Sequence, residues 1–140
     1  MRARRWLFGA SSLFLLLFLQ GSVAGSKILT VASAPPVVIR TMPAAGLFEV
    51  DPDLDFLQVE FSKDMLTEQM WSIIKVSGAS FPELAGGASF LDDKRTFVLP
   101  VSLEPETTYA MWFNSRDNDA FQDVSGNSAV PYFLIFRTGR

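Results

Sequence analysis

Histidine and cysteine are both absent from the 140 residues of this chain. Without them neither a Ser–His nor a Cys–His nucleophilic system can be assembled, and the usual zinc sites have no ligands. The lack of cysteine also excludes disulfides, so any fold must be held by its apolar core alone. No segment carries a long apolar period of 3.6 residues, which argues against amphipathic helices. Beyond the first five residues basic clusters are missing as well: the chain has 12 Lys and Arg against 15 Asp and Glu, and the rest of the basic residues are scattered. Nucleic acid and anionic membrane surfaces therefore find no matching patch. The catalytic chemistry left is a carboxylate pair or a buried lysine. The acids fall mostly in turns, and Lys27, Lys63, Lys75 and Lys94 sit beside polar residues. No enzyme is expected, and no catalytic residue is assigned.

What the chain does have is apolar residues, 49% of the total, enough for one core in one domain. Part of that content is not fold. Residues 1–25 place Arg2, Arg4 and Arg5 before an apolar run from Leu13 to Leu19, then small residues with Val23 and Gly25 at the −3 and −1 positions before Ser26. This is the layout of a secretory signal peptide. The competing reading is an uncleaved anchor, but the stretch from Trp6 to Leu19 is interrupted by Gly9, Ser11 and Ser12 and falls short of the ~20 residues of a membrane span. The expectation is export to the periplasm, cell envelope or medium, with no membrane insertion once the leader is cleaved. Removing the three leader arginines leaves nine basic residues against fifteen acidic ones, a net charge of −6.

Residues 26–34 read as a short extended lead-in. From Pro35 to Arg140, short apolar runs are punctuated by Pro, Gly, Asp and Asn, the pattern of an all-β domain. Strands are predicted at Val37–Thr41, Leu54–Phe61, Ser72–Val76, Ala88–Leu91, Arg95–Pro100, Thr108–Asn114 and Tyr132–Thr138. Seven strands at this spacing predict an Ig-like antiparallel β-sandwich. Asp64–Trp71 is the one stretch that could hold a helical turn. Pro43–Gly46 reads as a turn, and Asp92–Lys94 as the close of a tight hairpin. Alternation puts Leu57, Val59 and Phe61 on a buried face. The stretch "LEPETTY" predicts a tyrosine corner, with Tyr109 pointing inward and its hydroxyl bonded to the preceding connection.

Several ordered motifs resemble one family. "PAAG" at Pro43–Gly46, "VDP" at Val50–Pro52, "FS" at Phe61–Ser62 followed by Met65, "LEPETTY" at Leu103–Tyr109, "DVSGN" at Asp123–Asn127 and "FRTG" at Phe136–Gly139 are similar to the bacterial Ig-like domain named after the SbsA surface-layer protein. The resemblance spans about Pro35 to Arg140, one such domain directly after the leader. It implies an Ig-like fold and a place among secreted and surface proteins, often as an accessory module. It does not assign a partner.

Two candidate sites follow. If Tyr109, Met111 and Phe113 point inward, Trp112 points outward; with Ile74 and Val76 inward, Trp71 and Ile73 point outward; Phe133 and Ile135 do the same on the last strand. Trp71, Ile73, Trp112, Phe133 and Ile135 are thus expected to share an apolar outer face of a kind soluble monomers seldom expose. Such a face suits a protein partner, a second copy of the chain, or an envelope glycan stacked on the aromatics; ordinary packing beneath a covering segment is the alternative. The second candidate is calcium, the one metal that acidic loops hold readily. In "RDNDAFQDVSGN", Asp123–Asn127 reads as turn chemistry, leaving Asp117 and Asp119, with Asp64 at the same end of the sandwich as a third carboxylate. A calcium-stabilised structural component of the envelope is the rival to the interaction module. No other cofactor is expected.

Overall fold

The computed structural model describes residues 28–68 and 71–140, so the signal-peptide reading and Gln69–Met70 lie outside the described residues. Eight strands are present: β1 Val38–Met42, β2 Phe56–Phe61, β3 Ile73–Lys75, β4 Glu83–Leu84, β5 Ser89–Phe90, β6 Thr96–Ser102, β7 Thr108–Phe113 and β8 Tyr132–Arg137. All pairings between them are antiparallel. One sheet runs β1-β2-β6-β4, with β5 also on β6, and the other runs β3-β7-β8. This is the Ig-like sandwich expected, with β4 as the addition. Its two residues, Glu83 and Leu84, are both exposed and offer no alternation from which a strand could be read. The described part of Asp64–Trp71 forms no helix; Met65 instead bridges to Asp123.

Strand alternation explains the core. Leu57 sits opposite Leu99 and Val59 opposite Phe97, so β2 and β6 present one continuous apolar face. Tyr109 faces Phe136 and Met111 faces Leu134 on the second sheet. All eight of these side chains are buried. At one end the gap between the sheets is filled by Phe121, stacked against Phe61 and edge-on to Phe97 and Phe113. At the other end the tyrosine corner forms as predicted: the Glu104 amide donates to the Tyr109 hydroxyl at 2.7 Å.

After β1 the chain changes sheets. It passes a cis Met42–Pro43 bond, turns at Gly46 (φ 78°) and runs beside β8. There Gly46 N–H donates to the Ile135 carbonyl, Arg137 N–H to Leu47 and Val50 N–H to Arg137. The outer edge of β8 is therefore covered, which removes one exposed edge from the second sheet. The lead-in is fastened rather than simply extended. The Lys63 ammonium donates to the carbonyls of Ala32 and Ala34, and Asn127 Nδ2 donates to Ala32. These contacts hold it at the end of the sandwich, beside the 122–128 loop.

Candidate functional site

The second sheet has an outer face built by three strands in register. Ile74 lies opposite Trp112, and Trp112 opposite Phe133. One step along, Ala110 lies opposite Ile135. The Trp112 and Phe133 rings touch at a centroid distance of 4.8 Å, tilted by 37°. Trp112 and Ile135 each keep 38% of their surface exposed. The patch continues beyond Ile135 onto the segment alongside β8, where Leu47 and Phe48 border an apolar cleft of about 80 Å³. Phe48 is the most open of the group at 70%.

Trp112, Phe133 and Ile135 thus occupy the outer face, whereas Trp71 and Ile73 do not. Ile73 is in register with buried Phe113 and points into the sandwich; Trp71, two residues earlier, follows it. The Trp71 ring meets Phe97 edge-on at 4.9 Å and Phe90 at 6.2 Å. In a strand a one-residue error in register exchanges every side chain between faces. The misleading residue is Lys75. It shares the inward parity of Ile73, which made Ile74 and Val76 look like the core pair. At the end of β3, however, Lys75 is exposed and lays its ammonium over the Phe81 ring at 4.6 Å. The outward residue of β3 is Ile74.

The acidic residues do not assemble. Asp64 bonds Arg95 at 2.6 Å, Asp119 accepts from the Ser128 hydroxyl at 2.8 Å, and Asp117 is exposed. Among the described residues no group of three or more Asp or Glu side chains stands close enough to hold a metal ion. In this arrangement the three carboxylates are not brought together, and Asp64 and Asp119 are each engaged by a neighbour in loop-shaping contacts.

The loop's order comes from two residues with structural work. Asp123 is buried and accepts from the amides of Ser125 and Asn127, from the Asn127 side chain and from Lys63 at 3.0 Å. Burial alone would raise its pKa, and is the largest single influence. The bonds from Asn127, Lys63 and Ser125 together outweigh it and hold the carboxyl below its ordinary value. Asn114 is fully buried; its Nδ2 donates to the carbonyls of Phe121 and Ala129, and its Oδ1 accepts from the Phe121 amide. Asn114 was not singled out from the sequence, although an asparagine at the end of an apolar strand, just before a polar loop, is a residue type that tolerates the positive φ of 60° found there. A depression of about 300 Å³ lies where the lead-in meets this loop, but Lys63 is paired with Asp123 and Arg95 with Asp64, so its charges are already matched.

The profile of the bacterial Ig-like domain matches residues 32–138, nearly all of the described chain. The chain belongs to the bacterial Ig-like domain family. The match takes in both sheets and the motifs of the resemblance as far as Thr138, and it begins three residues earlier than the resemblance, in the lead-in. No curated protein sequence matches the chain. Among solved structures, the crystal structure of the S-layer protein rSbsC(31-844) is similar in fold. It has 15% sequence identity and a TM-score of 0.49 over 77% of this chain, which spans 14% of that one.

Proposed function

We propose that this bacterial Ig-like domain is an exported, non-catalytic interaction module of the cell envelope that binds a protein through the outer face of its second sheet. The observation that carries the reading is the Ile74–Trp112–Phe133 row with Ile135 beside it, apolar and partly open on a rigid sheet. Aromatic residues on such a platform can be desolvated with little ordering cost, because their backbone is already fixed by cross-strand hydrogen bonds. Export rests on the leader, with Ser26 as the first mature residue.

A protein partner fits better than a glycan. A sugar stacked on Trp112 would need hydrogen-bonding groups around its rim to satisfy its hydroxyls. Thr108 and Arg137, polar side chains at the β8 end of this face, share one hydrogen bond at 3.3 Å, which leaves fewer groups free for sugar hydroxyls. The test is capture from envelope extract with the wild-type protein, Trp112→Ala, and a Gln58→Ala control on the opposite sheet. The reading predicts that a co-purifying protein is lost with Trp112→Ala and retained with Gln58→Ala. Equal capture by all three would remove the aromatic face from the account.

A further inference from the structure

Resting on the reading of this face as a protein contact, we infer that the partner it fits is a second copy of this chain, paired face to face about a two-fold axis passing near Trp112. Three observations support self-pairing. The first is charge. In a mature chain of net −6, two copies repel unless they meet where carboxylates are absent. The outward positions of β7 and β8 from Thr108 and Ala110 to Phe133 and Ile135 carry no acid, and the charge they include is Arg137 at the rim. The outer face of the other sheet presents Glu60, bonded to Arg40, beside Gln58 and Thr96.

The second is area. A partner in a standard interface contributes roughly 800 Å², of which about 65% is apolar in a homodimer, so on the order of 500 Å² of apolar surface is needed. Given their exposures, Trp112, Ile135, Leu47, Phe48 and the half-buried Ile74 and Phe133 together present on the order of 500 Å².

The third is symmetry. Trp112 stands on β7, the middle strand of the β3-β7-β8 sheet. A face with its largest apolar side chain near the centre can meet its own copy about a two-fold axis along the strands, which sets Phe48 and Leu47 of one copy toward the β3 side of the other. In an isologous contact one substitution is felt twice.

Sedimentation velocity of the purified protein over a wide concentration range tests this. The wild type should pass from monomer to dimer, and Trp112→Lys should weaken dimerisation by at least about 100-fold, since each copy buries one lysine in the contact. Gln58→Lys should leave it unchanged, and matching thermal midpoints for both variants would show that each is folded. A chain that stays monomeric throughout overturns self-pairing. So does a dimer that both substitutions leave intact. To separate this from the broader reading, a photo-cross-linking residue replaces Phe133 in cells. An adduct of twice the chain mass supports self-pairing; an adduct with a different protein overturns self-pairing but keeps the face as a contact; no adduct overturns both.

Discussion

Asn114 and Asp123 show how single side chains hold the longest polar loop of the domain. Three hydrogen bonds converge on the fully buried Asn114 amide, one from the Phe121 N–H and two to the carbonyls of Phe121 and Ala129. Asn114→Ala leaves the Phe121 N–H and the Ala129 carbonyl without their partner, while the Phe121 carbonyl keeps the Ala129 N–H, a cost of about 1–3 kcal/mol for each group that water cannot reach. Chemical denaturation is expected to show a loss of roughly 3 kcal/mol, among the larger single-residue effects outside the apolar core. For Asp123 the sign follows from its lowered folded-state pKa against an ordinary value of 3.8. The stabilisation is fully present above that ordinary value and is lost as pH falls through the lower, folded one. Asp93, held low by the Thr96 hydroxyl and the Arg95 and Thr96 amides, acts with the same sign. Denaturation midpoints should therefore fall below about pH 4, and less steeply in Asp123→Asn, which starts from a lower stability at neutral pH. A wild type and variant with parallel acid limbs would assign the acid sensitivity elsewhere.

At the scale of the element, β3 separates structure from function, because its neighbours Trp71 and Trp112 look alike in the sequence and face opposite ways. Trp71→Ala removes a ring packed on Phe97 and Phe90 and should cost about 3 kcal/mol or more, whereas Trp112→Ala should cost clearly less in the monomer. Comparable losses at both positions would mean that β3 is in the other register. The long strands were legible from alternation alone: Leu57–Val59–Phe61 and Tyr109–Met111–Phe113 are buried as predicted. Ordered turn residues made the Pro43–Gly46 turn and the tyrosine corner equally readable. Short strands were not. β3 has three residues, β4 and β5 two each, too few for a period of two to declare itself. The local partners of Asp64 and Asp119 were not readable for a different reason. Composition marks an acidic loop, but only the folded chain shows that Arg95 and Ser128 reach them first.

For the whole molecule, the two sheets differ in what their exteriors present. The five-stranded sheet carries the Arg40–Glu60 pair on its exterior, and β1, on its edge, is bulged between Val38 and Arg40 and bears that arginine, features that discourage strand addition. The three-stranded sheet has an apolar exterior, and the chain itself closes its β8 edge. The contact proposed for this domain is accordingly through a sheet face rather than through the β1 or β8 edge. The most direct test of that difference places a photo-cross-linking residue at Phe133 on one exterior and at Gln58 on the other, in cells, and compares the protein adducts. The account predicts adducts at Phe133 and none at Gln58. Adducts at Gln58 with none at Phe133 would contradict it.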